Sequence, residues 1–195
     1  DLVKTMRASI FVLGPLLARL GKAKVSLPGG CAIGTRPIDL HLSNLEKLGC
    51  KITLNAGYVE AHVEKMLPTN LRLDFPSVGA TENLMMASVF TDGVTIIENA
   101  ALEPEIDDLA HFLNAMGAKI SGIGTQKIEV TGVKSFHEVT YEAIGDRIEA
   151  STYLMAALAT GSSITIEGVN PLHLQYVIDV LKKMGAKIET SGDKI

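Results

Sequence analysis

Leu48-Gly49-Cys50-Lys51-Ile52 returns as Met116-Gly117-Ala118-Lys119-Ile120, and again as Met184-Gly185-Ala186-Lys187-Ile188. The three glycines stand at 49, 117 and 185, two equal steps of 68 residues. Each copy reads as the end of a helix, a left-handed stop at glycine and the entry to a strand. Prolines at 37, 104 and 171 form a second series with steps of 67. Each suits the first position of a helix, where a missing N–H costs nothing. Two independent series with nearly one period make this chain an internal repeat.

Working outward, every copy has the same order. A first helix is expected over Ala8 to Leu20, Ala80 to Phe90 and Ile148 to Thr160, each followed by a glycine stop. Pro15 should kink the first of these. A short β-branched strand follows: Lys24 to Leu27, Val94 to Glu98, Ser163 to Glu167. Then comes the proline-led helix: Ile38 to Leu48, Glu105 to Met116, Leu172 to Met184. Two strands joined by a tight turn close the unit: Lys51 to Leu54 with Tyr58 to Val63, Lys119 to Ser121 with Lys127 to Val130, and Lys187 to Thr190 with Lys194-Ile195. Leu73-Asp74-Phe75 and Val139 to Ile144 read as strands leading into the next copies, after a polar connector over Met66 to Arg72. The fold class is therefore α/β, built of βαβαββ units whose apolar faces must pack on one another.

Composition narrows the function classes. The chain has 195 residues, 47% of them apolar, enough for a substantial core. A net charge of −4 argues against nucleic acid as a partner, because phosphate contacts need a basic excess. No apolar run reaches the length of a membrane span, and no signal-peptide pattern opens the chain. The two cysteines, Cys31 and Cys50, have no metal-site spacing and form no disulfide framework, so a reducing cytoplasm is the expected compartment. Cys50 reads as a small core residue. No cofactor or metal is expected; the acidic group Glu103, Glu105, Asp107 and Asp108 reads as a helix start that favours negative charge. Both ends look cut, which suggests a fragment.

The copies differ in one place. Only the first carries a long glycine-rich loop between strand and helix, Ser26-Leu27-Pro28-Gly29-Gly30-Cys31-Ala32-Ile33-Gly34-Thr35-Arg36-Pro37. These extra residues are not needed to build the unit. They place a cysteine and an arginine beside a helix start, whose free amides and positive dipole end suit phosphate. The same field would lower the pKa of Cys31. The alternative is a plain turn with an inert thiol. Ser77 and Gly79 open another helix, where Ser77 either meets an anion or serves only as an N-cap. Arg7 and Arg147 are either site residues or solvated charges. His41, one turn into its helix, either reaches a nucleotide or lies on the surface.

The stretch Leu27 to His41 closely resembles the UDP-N-acetylglucosamine enolpyruvyl transferase family. Arg7-Ala8-Ser9, Asp74 to Asn83 and Asn99 to Ile106 fit the same family, so the resemblance runs the whole length. It implies an inside-out α/β barrel, with two domains of three repeats each. Residues 1–144 would be the last two repeats of one domain, and 145–195 the start of the other. It also implies transfer of the enolpyruvyl group of phosphoenolpyruvate to the 3-hydroxyl of UDP-N-acetylglucosamine, with release of phosphate, in peptidoglycan precursor synthesis. Cys31 falls on the family's reactive cysteine, and Arg7 and Arg36 match arginines that clamp phosphate and nucleotide groups. Arg36, Pro37, Ile38, Asp39 and Leu40 match the stretch that holds the UDP moiety, as do Phe75, Pro76, Ser77 and Val78. Some members carry lysine where Phe75 stands, which leaves the contact there to the backbone and Ser77. Residues that the family places in the rest of its length are absent, so this chain alone should not turn over. Two other readings are open: a shikimate enolpyruvyl transferase, which lacks such a cysteine loop, and a non-catalytic repeat scaffold.

Overall fold

The structure is a computed structural model describing residues 6–27, 29 and 38–195. Its contacts divide the chain into two units, Asp1–Tyr141 and Glu142–Ile195. Cys31, Arg36 and Pro37, with most of the glycine-rich loop, lie outside the described residues.

The first unit holds two copies of one topology. In the first, α1 (Leu13–Leu20) leads into β1 (Lys22–Ser26), α2 (Asp39–Lys47), β2 (Lys51–Asn55) and β3 (Tyr58–His62). The sheet order is β1-β3-β2, with both pairings antiparallel and Val25 opposite Val59 opposite Leu54. The second copy adds β4 (Asn70–Arg72), then α3 (Val78–Ser88), β5 (Val94–Glu98), α4 (Pro104–Ala115), β6 (Lys119–Ser121) and β7 (Lys127–Thr131). Its order is β4-β5-β7-β6, with β4 parallel to β5 and the rest antiparallel. In each copy the last strand is therefore the central one, flanked by the two strands that the proline-led helix connects.

Alternation sets which face is covered. Leu71, Ile97 and Ile128 share a register row and are fully buried, while Arg72, Glu98 and Lys127 in the next row face solvent. The helices fill the layer behind the sheets, with α3 packed against α1, α2 and α4. Leu13, Leu17, Leu45, Leu84, Met85 and Ile106 form its centre.

The repeated glycines do what their spacing predicts. Gly49, Gly117 and Gly185 have φ of 96°, 106° and 101°. In each copy the next amide bonds back five residues: Cys50 N to Leu45 O at 3.1 Å, Ala118 N to Leu113 O at 2.9 Å, Ala186 N to Leu181 O at 3.0 Å. This is the Schellman closure of a helix, present three times at one period. Cys50 is buried, as expected.

Over the expected first helix, residues Arg7–Val12 form a 3-10 helix that passes into α1 without a break, and Pro15 sits in the first turn of α1. There its missing N–H has no intrahelical partner to lose. The strand leading into the second copy is Asn70–Arg72 rather than Leu73 to Phe75. Leu73 still bonds Glu98 O through its N–H at 3.1 Å, but its carbonyl accepts from Asn99 Nδ2 at 2.9 Å, which ends the ladder. Val139 to Ile144 is not a strand.

In the second unit, α5 (Arg147–Thr160) is followed by a 3-10 turn at Pro171–Leu174 and α6 (Gln175–Lys183), so the expected single helix from Leu172 is split. Asp146 caps α5, accepting from Ile148 N at 2.7 Å and Glu149 N at 3.1 Å. The expected strands at Ser163 to Glu167 and Lys187 to Thr190 do not form. Only isolated bridges, Glu167 with Lys194 and Ser191 with Lys194, mark their places. Ile166 and Ile195 also exchange two backbone bonds, at 2.9 and 3.0 Å. No helix among the described residues is long and apolar enough to cross a membrane.

Candidate functional site

Three segments carrying predicted site residues meet in the first unit. Arg7 opens the 3-10 helix Arg7–Val12 and is partly buried. Asp39 is the first residue of α2 and is exposed, a carboxylate in the first turn where the dipole favours it. Ile38 before it is buried, and its carbonyl accepts from His41 N at 2.9 Å and Leu42 N at 3.1 Å, so the helix starts there. Leu40 is half-buried, and its carbonyl accepts from Asn44 Nδ2 at 2.9 Å. Ser77 caps α3: its Oγ accepts from Ala80 N at 3.4 Å, and its carbonyl accepts from Thr81 N at 2.9 Å and Thr81 Oγ1 at 2.8 Å. Val78 follows as the first helical residue. Phe75 and Pro76 stand exposed ahead of it.

The convergence has a tight centre. Gly79 has no room for a side chain, since a Cβ there would lie 2.6 Å from Phe11 Cε1 and 3.5 Å from His41 Cε1. Phe11 comes from the 3-10 helix and His41 from α2, and their rings are 6.4 Å apart. The starts of α2 and α3 and the 3-10 helix thus touch at one point. Below it lies Asn83, fully buried. Its Oδ1 accepts from Gly14 N at 2.8 Å, and its Nδ2 donates to Ile10 O at 3.2 Å and meets His41 Nδ1 at 3.1 Å. Gly14 N is one of the unpaired amides in the first turn of α1, so α3 caps α1 from the side.

His41 is therefore neither on the surface nor free. Its burial, with the charge of Arg7 second, pushes its pKa down to about 4. Neighbouring Glu82 is pushed the other way, up to about 7, by its own burial and then by Glu105 and Glu103 across the gap to α4. Thr81 ties that gap together by accepting from Ala101 N at 3.1 Å. The acidic residues at the start of α4 are locally engaged: Asp107 accepts from Gly124 N at 2.9 Å and Asp108 from Tyr141 Oη at 2.8 Å. Among the described residues no group of three or more potential ligands is arranged for a metal.

Asn83 and Gly79 escape sequence reasoning because their partners are far away in the chain. One signal was present: Asn83 falls on the same helical stripe as Ala80, Leu84 and Ala87, all buried. A polar side chain on a buried stripe must find hydrogen-bond partners. A groove of about 410 Å³ in the second unit, lined by Met155, Leu158, Tyr176, Val180 and Met184, is wholly apolar and offers nothing to orient an anion.

Known proteins extend these observations. The chain is 55% identical over 195 residues to UDP-N-acetylglucosamine 1-carboxyvinyltransferase 2 of Clostridium tetani, covering 100% of this chain and 47% of that protein. It is 57% identical over 188 residues to UDP-N-acetylglucosamine 1-carboxyvinyltransferase 1 of Caldanaerobacter subterraneus, covering 96% of this chain and 45% of that one. It thus spans about half the length of the curated relatives it matches. Among solved structures, the enolpyruvyl transferase NikO from Streptomyces tendae superposes with a TM-score of 0.80 at 23% identity, over 100% of this chain and 47% of that one. EPSP synthase from Acinetobacter baumannii gives 0.67 at 21%, over 95% of this chain and 42% of that one. At such identities these two report the α/β fold alone. The profile of EPSP synthase (3-phosphoshikimate 1-carboxyvinyltransferase) matches residues 1–195, the entire chain, and the chain belongs to that family.

Proposed function

We propose that this chain is part of an enzyme that transfers the enolpyruvyl group of phosphoenolpyruvate to the 3-hydroxyl of UDP-N-acetylglucosamine. On this reading residues 1–144 are two repeats of one domain and 145–195 begin the other. The observation that carries it is the 55% identity, over the whole chain, to a protein named for this reaction. The solved EPSP synthase stands at 21%.

The reaction is an addition followed by an elimination. The sugar hydroxyl oxygen bonds to the enol carbon and gives its proton to a base, while an acid protonates the methylene carbon to a methyl group. The C–O bond to phosphate then breaks, a methyl proton is removed, and the double bond returns. On this reading Cys31 is the proton donor and the thiol that captures phosphoenolpyruvate; a tunable thiol suits both roles. Arg7 and Arg36 supply fixed positive charge for phosphate groups. Asp39 and Leu40 at the start of α2, after Arg36, Pro37 and Ile38, hold the UDP moiety together with Phe75, Pro76, Ser77 and Val78. Support comes from the meeting of the helix starts: the first-turn amides of α3 ahead of the capped Ala80 N suit a diphosphate. The partners are small molecules in the cytoplasm.

The test is phosphate release by the full-length protein that contains this sequence. Release from phosphoenolpyruvate with UDP-N-acetylglucosamine, and none with shikimate 3-phosphate, is the expected result. Release with shikimate 3-phosphate alone, or with neither acceptor, overturns the reading. The 195-residue chain alone should release none.

A further inference from the structure

The three segments that carry the proposed substrate residues are fastened by a single buried carboxamide. Asn83 lies six residues beyond Ser77 on α3. It bonds Ile10, three residues beyond Arg7, and Gly14 in the next turn, and it bonds His41, two residues beyond Asp39 on α2. We propose that Asn83, acting with His41, is a positioning residue that sets the spacing of Arg7, Asp39–Leu40 and Ser77–Val78. The inference rests on the reading above of where the nucleotide sugar binds.

The orientation of the carboxamide follows from its backbone partners. Gly14 N–H can only donate, so it faces Oδ1; the Ile10 carbonyl can only accept, so it faces the amino group. The amino group's other hydrogen points at His41 Nδ1, which must present a lone pair. The ring is thereby held neutral, with its proton on Nε2. Protonation of Nδ1 would set two donors against each other. Arg7, the charged group acting on the ring, opposes that protonation too.

This differs from ordinary core packing. An apolar contact between helices tolerates sliding by a fraction of an ångström, whereas three bonds of 2.8–3.2 Å from one planar group do not. Asn83 is fully buried and touches no substrate surface, so it acts through the segments it holds. The Gly79 contacts with Phe11 and His41 show the same three segments closing at a second point.

The test uses the full-length protein. His41→Phe keeps the ring's bulk and removes the acceptor; His41→Gln supplies an acceptor again. His41→Phe should raise KM for UDP-N-acetylglucosamine about tenfold and lower kcat by less, and His41→Gln should recover most of the loss. Asn83→Asp keeps the acceptor for Gly14 and sets a carboxylate against the ring, which then holds a proton. KM should acquire a pH dependence between about 5 and 8 that the parent lacks. This variant decides the matter if His41→Phe does not fold. A parental KM in His41→Phe, a loss that His41→Gln does not recover, or a flat KM profile in Asn83→Asp overturns the inference. A parent that does not turn over UDP-N-acetylglucosamine overturns the functional reading instead, and the inference falls with it.

Discussion

The side chain of Asn114 pairs with the backbone of Ile120 as a strand would: Ile120 N donates to Oδ1 at 2.8 Å and Nδ2 donates to Ile120 O at 2.9 Å. Ile120 is the middle residue of β6, at the outer edge of its sheet. Its N–H and carbonyl point away from β7, and without Asn114 they would be left half-buried and unpaired. Edge strands need such cover. Replacing Asn114 by alanine removes both bonds, and the first unit should lose about 1–3 kcal/mol. Hydrogen exchange at the Ile120 amide should speed up well beyond that at Val130, which checks that the loss is local.

The approach of α1 to α3 depends on a missing side chain. A Cβ at Gly14 would lie 2.4 Å from both the backbone oxygen and Oδ1 of Asn83, and 3.3 Å from Ala87 Cβ. A backbone atom of a buried helix cannot swing aside. Gly14→Ala should therefore cost about 1–3 kcal/mol or more, although alanine is the better helix former. A urea midpoint equal to that of the parent would contradict this packing.

Two buried titratable groups tilt stability with pH in opposite directions. His41 stays neutral in the folded chain down to about pH 4, whereas the unfolded chain takes up a proton near 6.5. Between those values the unfolded state binds more protons, so this contribution is full above about pH 6.5 and is lost as pH falls towards 4. The shift corresponds to about 3 kcal/mol. Glu82 behaves in reverse. Its folded pKa of about 7 exceeds the ordinary 4.5, so it favours the folded state below about 4.5, and that favour is lost as pH rises through 7. The two slopes oppose each other between about 4.5 and 6.5, so their joint contribution is shallow there. Single variants separate them: Glu82→Gln should raise the urea midpoint at pH 8 and leave it unchanged at pH 4, while His41→Gln should flatten the acid limb.

What the sequence disclosed and what it concealed divide by distance along the chain. Local chemistry was legible. Pro104 at the first turn starts α4, Ser77 caps α3, and the glycines at 49, 117 and 185 close three helices with one bond pattern. Two strands, Val94–Glu98 and Lys119–Ser121, fall where alternation puts them. The misses are non-local. The third copy's β-branched stretches read like those of the first two, yet only isolated bridges form there. His41 reads alike as a ligand contact or a surface residue until Asn83, 42 residues away, is packed against it. The candidate site followed the same division: its residue types stood out in the sequence, whereas the carboxamide joining three of its segments did not.

The two thiols should differ sharply in reactivity. Burial, with Glu46 beside it, pushes Cys50 up to about 11. At pH 8 about one thousandth of it is thiolate, the form that reacts, and its side chain is shielded by the core. Iodoacetamide should therefore leave Cys50 unmodified in the folded chain and label it only after denaturation. On the proposed reading Cys31 is the fast thiol, because an arginine and a helix start beside it would lower the cost of its negative charge. Peptide mass mapping after brief labelling of the full-length protein should find, of these two positions, an adduct at Cys31 alone, and UDP-N-acetylglucosamine should slow its formation. Equal labelling of both positions would mean that Cys31 sits in no positive field, and the role assigned to it in proton transfer would be lost.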